Sequence, residues 1–235
     1  ADKIRILSFA ETYEKIRSNN YGKILTYLFV LQIAVNISSS YFNPFMLTQM
    51  RLHYWAYMAM LSAMALSKAI AMPFTLKLIK KFGLKKVLIG AALGIGPLPV
   101  IWLFAHPYAI LVGGLQIFSG FVWASHELAV FLILFSEIPE EDRTSVLTEF
   151  NLFNTLGIVI GSLLGGAIFS GFGQNYSGYF AIFCLSSMLR IASVLMIPDL
   201  GTPIKKAGLR IYYRTLGIRS GSGITRPIIT NVDEE

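Results

Sequence analysis

Charge is what this 235-residue chain has least of: 14% of its positions are Asp, Glu, Lys or Arg, while 54% are hydrophobic. An average soluble domain has roughly 25% charged and 45–50% apolar positions, so a water-soluble fold does not fit this balance. Cysteine is nearly absent too. Cys184 stands alone in an apolar run, which excludes an internal disulfide and any cysteine metal clip and makes it an inert buried thiol. Acidic residues are scarce beside basic ones, thirteen against twenty, for a formal charge of +7. In a polar chain that excess would suggest nucleic acid; here the positive charges share the surface with lipid, and no nucleic-acid partner is expected. The opening stretch ADKIRILSFAETYEKIRSNNYGK lacks the central apolar run of a cleavable signal peptide.

Long apolar runs, by contrast, are abundant. Crossing hydrocarbon takes about 20 mostly apolar helical residues, and six stretches meet or approach that length: 24–46, 54–79, 87–104, 108–135, 146–169 and 178–197. The expected fold is all-α, a polytopic membrane protein with six transmembrane helices over 24–197, a charged lead-in over 1–23, and a disordered basic tail over 198–235 lying against anionic lipid. Asn43-Pro44, Gly83, His106-Pro107, Pro139 and Gly171 with Gly173 mark places for the chain to turn. Sixteen Lys and Arg fall in the lead-in, the even-numbered loops and the tail, against Arg51 alone on the other side. That asymmetry predicts cytoplasmic termini in a plasma (inner) membrane. Tyr41, Tyr54, Trp55, Trp102 and Tyr176 gather at the opposite ends as an interfacial belt.

Polar residues inside the spans point to function. On the fourth span Gly113, Gln116, Gly120, Trp123 and Glu127 recur at steps of three or four and share one helical face, with Ser119 and His126 beside it. A charge near mid-span costs at least ~3 kcal/mol on insertion scales, so Glu127 should face a cavity or a partner or be protonated, the alternative being a structural carboxyl bonded between helices. Lys68 in the second span lies about 16 Å from the cytoplasmic end and Glu127 about 12 Å, at about 1.5 Å per residue, so the two can meet across adjacent helices. Glu127, Lys68 and His126 are the candidates for proton or charge coupling. Arg190, close to the end of the sixth span, is expected to snorkel. Gln32, Asn36, Gln116, Trp123, Asn151 and Asn154 are the solute-lining candidates, those on the first and fifth spans equally suiting hydrogen bonds between helices. Gly157, Gly161 and Gly165 on the fifth span, and Gly90 with Gly94 on the third, have the spacing of close helix packing. No metal site and no cofactor is expected.

The basic hairpin KLIKKFGLKK, a Gly-rich helix, and IPEEDRTSVLTEFN opening a second Gly-rich helix together resemble the carboxy-terminal six-helix half of a major facilitator superfamily transporter, over residues 21–197. Leu76, Lys80, Lys81, Phe82, Gly83, Leu84 and Lys85 would align with that family's Gly-x-x-x-Asp-Arg-x-Gly-Arg-Lys loop motif, keeping the second glycine and the basic pair but not the first glycine or the Asp. The resemblance implies a secondary transporter half, not an enzyme, that moves a small-molecule solute by alternating access. It implies a lead-in like the linker between halves, and a partner half in the same longer chain, in a separate chain, or in a parallel homodimer. An oligomeric channel or a membrane scaffold is the alternative. Against a channel, there is no arginine-repeat helix, no TVGYG-like filter and no pair of Asn-Pro-Ala loops. An intramembrane protease would have only Ser119 and His126 on one helix, without a Gly-x-Ser-Gly loop.

Overall fold

The structure, a computed structural model, describes residues 20–105, 109–137 and 143–198. The expected lead-in up to residue 19, the tail from 199, His106-Pro107 and Pro139 lie outside them. The described residues form α-helices and no strand. They are α1 (Asn20–Pro44), α2 (Tyr54–Phe82), α3 (Leu84–Ile95), α4 (Leu98–Phe104), α5 (Ala109–Glu137), α6 (Arg143–Gly171) and α7 (Tyr176–Ser193). Six helical segments are long and apolar enough to cross a membrane, with α3 and α4 together making the third.

Two proline sites behave differently from expectation. Pro44 does not turn the chain: helix continues through it into a π-helical turn, Phe45–Gln49, closed by the Met50 N–H on the Phe45 carbonyl at 3.0 Å. The turn comes at Met50–His53, with Arg51 in the left-handed region at φ 49°. The third span, expected to be continuous, breaks at Gly96-Pro97. Pro97 and Pro99 lack the N–H groups that Leu93 and Ile95 carbonyls would accept in an α-helix. Two other helix ends are capped locally. Gly83, at φ 89°, ends α2 with its N–H on the Ile79 carbonyl at 2.9 Å, and Asn175 caps α7 by accepting from the Ser177 N–H at 2.9 Å.

The helices pack in pairs. α1 lies along α6 and α7, α2 along α5, α5 along α3, and α4 against α7. Exchanging spans one, two and three with four, five and six leaves this set of neighbours unchanged, as an inverted repeat requires; no echo in the sequence accompanies it. Among the described residues three clusters fill the interior, a small one of Ile95, Leu98 and Val122 and two larger ones. At the lysine-rich end Ile24, Leu25, Leu88 and Ile133 meet, and at the other end Phe45, Trp102, Tyr179 and Phe183 form an aromatic-rich cluster.

Glycine sets the spacing of α1 and α6. A Cβ at Gly157 would stand 3.0 Å from Gln32 Cβ, one at Gly161 2.5 Å from the Ile33 carbonyl oxygen, and one at Gly165 would run into the Ile37 carbonyl oxygen. The expected packing stripe is therefore in place on the fifth span. On the third span it is half right: a Cβ at Gly94 would stand 2.7 Å from Val122 Cγ1, but one at Gly90 would meet nothing within 4 Å. Gly90 is corrected from a packing residue to an open one, because its side of α3 faces a groove between α2 and α5 instead of the backbone of a neighbouring helix. Gly161→Leu is expected to cost about 1–3 kcal/mol through overpacking, read as a lower thermal-unfolding midpoint in detergent, with Gly90→Ala at the wild-type value. Equal midpoints for Gly161→Leu and wild type would refute this contact.

Candidate functional site

The charged site is built by the α2–α5 contact. Gly120 has no side chain where α2 passes: a Cβ there would lie 2.5 Å from the Met64 carbonyl oxygen, 2.9 Å from Ser67 Cβ and 3.1 Å from Lys68 N. Ser67 Oγ donates to the Ile117 carbonyl at 2.6 Å, and Thr75 Oγ1 and Ser125 Oγ share a hydrogen bond of 2.9 Å. These contacts climb both helices in the same direction, so α2 and α5 run parallel. Glu127 stands seven residues beyond Gly120, about 10 Å along the axis. Helical side chains lean toward the N-terminus, which brings the carboxylate back toward Lys68, and Lys68 Nζ donates to Glu127 Oε1 at 2.6 Å.

The side chains of this pair are 36% and 45% exposed. The ion pair thus lies on the side of the six-helix unit, near mid-span, and not in its interior. Hydrocarbon is a poor neighbour for two half-exposed charges.

His126 is separated from them. It is buried and turned toward α1, where its Nε2 lies 2.8 Å from Tyr27 Oη and its ring meets Trp123 edge-on at 6.1 Å. One residue of helix rotates a side chain by about 100°, so neighbours in sequence face different helices. His126, a coupling candidate beside that pair, is a buried hydrogen-bonded link between the first and fourth spans and does not touch the two charges. Gln116 is buried at 4% exposure and is corrected from a solute-lining residue, because α5 turns it into the bundle.

The remaining uncharged candidates keep an open side. Gln32 and Asn36 are half-buried on α1, where Asn36 Nδ2 donates to the Gln32 carbonyl at 2.8 Å and Asn36 Oδ1 accepts from Ser39 Oγ at 3.1 Å. Trp123 and Asn154 are half-buried and Asn151 is exposed.

Arg190 does not snorkel. It is 2% exposed, and its Nη2 donates to Ser38 Oγ at 2.9 Å and to the Val35 carbonyl at 3.3 Å, while Nη1 approaches the Ile95 carbonyl at 3.5 Å. That last carbonyl is the one Pro99 leaves without a helical donor. Ser187 completes the repair from the same helix, since its Oγ accepts from Val100 N at 3.2 Å. Sequence reasoning missed Tyr27, Ser67, Thr75 and the serines around Arg190 on α7; the spacing of Ser186, Ser187, Arg190 and Ser193 at three and four was the available signal.

Among the described residues, no group of three or more His, Cys, Asp or Glu side chains stands where it could hold a metal ion. A search of the curated proteins and of the solved structures gives no match. The family model described as Major Facilitator Superfamily matches residues 24–213, which takes in all six spans. With an all-helical bundle of six membrane-length segments beneath that match, the chain belongs to the major facilitator superfamily of secondary transporters.

Proposed function

We propose that the chain is one six-helix half of a transporter that carries a small polar solute by alternating access, with proton coupling at the Glu127–Lys68 pair. The half-exposed ion pair on the side of the bundle carries this reading. A charged pair near mid-span needs water or a second protein surface beside it, and the interface between two halves is where a transporter of this family binds its solute. Protonation of the Glu127 carboxylate would give a neutral acid and leave the Lys68 ammonium without its counter-ion. An anionic group of the solute, or the returning carboxylate, would then take that place. Gln32, Asn36, Trp123, Asn151 and Asn154 would line the same space. The partner half is part of a longer chain, a separate chain, or a second copy arranged parallel to the first.

In the transporter with both halves, Glu127→Gln is expected to abolish proton-driven accumulation while counterflow exchange persists, because exchange needs the binding site but no net proton release. Wild-type driven transport in both Glu127→Gln and Lys68→Met would show the pair to be a packing feature.

The arrangement of lysines and arginines supports cytoplasmic termini in a plasma membrane. Single cysteines at positions 8 and 220, in a Cys184→Ser background, should resist a membrane-impermeant maleimide applied to intact cells, and one at Thr48 should react. Labelling of the termini from outside would reverse the orientation.

Because the solute site needs two halves, reconstituted protein shown to be monomeric should give no solute flux. Flux through such a monomer would end the two-half reading.

A further inference from the structure

On the side of α5 away from Glu127, helices α2, α3 and α5 leave an apolar groove of about 480 Å³. Leu78 and Phe82 of α2, Gly90 and Gly94 of α3, and Phe118 and Val122 of α5 form its walls. Phe118 and Glu127 are nine residues apart, about 180° around the helix, so the groove and the charged pair face opposite ways. The groove is therefore not part of the proposed solute space, and its occupant is independent of the transport reading.

Its chemistry is one-sided. Ser125 brings a hydroxyl to the wall, but that hydroxyl is already held by Thr75. A polar solute finds nothing to bind there. At one end stands Lys86, exposed and without a carboxylate partner among the described residues. Beside it the Lys81 ammonium lies 5.1 Å from the centroid of the Phe82 ring, so a second cation marks the same mouth. From Lys86 to Gly94 the groove runs about 12 Å along the third span, most of the ~15 Å hydrocarbon depth of one leaflet. Gly90 sits midway, with nothing within 4 Å of where its Cβ would be.

A slot that is apolar along its length and cationic at its membrane-surface end matches an amphiphile with an anionic head. A helix from a second protein copy would fill the slot equally well but would cover the Lys86 ammonium, which has no carboxylate among the described residues to meet it. We propose that this groove seats one acyl chain of an anionic glycerophospholipid, with the lipid phosphate paired to Lys86. Gly90 makes room for the chain, and Phe82 and Phe118 flank it. A lysine near an anionic headgroup favours binding by about fivefold per residue.

The test uses the purified full chain in detergent, stripped of lipid and titrated with dioleoyl phosphatidylglycerol or dioleoyl phosphatidylcholine, with bound lipid counted by native mass spectrometry. Wild type should bind phosphatidylglycerol about fivefold more tightly than phosphatidylcholine. Lys86→Gln, an exposed change that leaves the fold intact, should abolish that preference while phosphatidylcholine binding stays the same. Gly90→Phe should reduce binding of both lipids by filling the slot, and Gly90→Leu should do so to a lesser degree. Undiminished binding in folded Gly90→Phe protein overturns the proposal, as does a headgroup preference that survives Lys86→Gln. A dimer in wild type that Gly90→Phe converts to monomer also overturns it and gives the groove to a second copy.

Discussion

Hydrocarbon offers no hydrogen-bond partner to a peptide carbonyl, so any interruption of a membrane-spanning helix must be repaired by its neighbours. The third span shows the constraint most directly. Pro97 and Pro99 free carbonyls and break the helix, and the sixth span answers with Ser187 on the Val100 N–H and Arg190 near the Ile95 carbonyl. Arg190 can be buried there because its guanidinium also reaches the first span, at Ser38 and Val35. Ser186 Oγ joins the group by donating to the Ala34 carbonyl at 2.6 Å. One cation thus ties three spans at the bend, and it leaves only Nε without a partner. Broken helix, buried arginine and serine cluster are one arrangement.

Close approach of helices is the second consequence of the same medium. Lipid tails are as apolar as Leu, so helices gain little by burying apolar side chains and associate through backbone proximity and hydrogen bonds. Both principal pairs use this route with different residues. α1 and α6 meet over three glycines of the fifth span, whereas α2 and α5 meet over Gly120, with Ser67, Thr75 and Ser125 adding hydrogen bonds. The second arrangement has a further consequence. By locking α2 and α5 in parallel register it holds Lys68 within reach of Glu127, and by placing both on the side of the pair of helices it leaves the charges half open.

Outward faces of the unit differ in chemistry accordingly. Leu163, Phe74, Leu66 and Ile70 are among the large apolar side chains left exposed, as a bundle surrounded by lipid or by a second apolar surface allows. The ion pair interrupts that coat on one side, and the groove with Lys86 at its mouth interrupts it on the opposite side of α5. The fourth span is therefore the element whose two faces carry the two distinct chemistries of the molecule.

Much of this was legible in the residue string, for a physical reason. Helix length against hydrocarbon thickness is a one-dimensional count, so the six spans follow from composition alone, and so does the near-equal depth of Lys68 and Glu127. A Gly-x-x-x-Gly spacing fixes which side of a helix is small, which was enough for Gly157, Gly161 and Gly165. What the string could not fix was what lies across from each face. Gly90 has the same spacing as Gly94 and faces open space; Gln116 shares a stripe with Glu127 and is buried; His126 adjoins Glu127 and bonds Tyr27 instead; Arg190 sits near a helix end and points inward. In each case the outcome depends on how a helix is rotated against neighbours distant in sequence, a rotation set by glycine contacts and interhelical hydrogen bonds. The sequence determined depth along the membrane normal, while direction around each helix axis was decided only when the six helices packed.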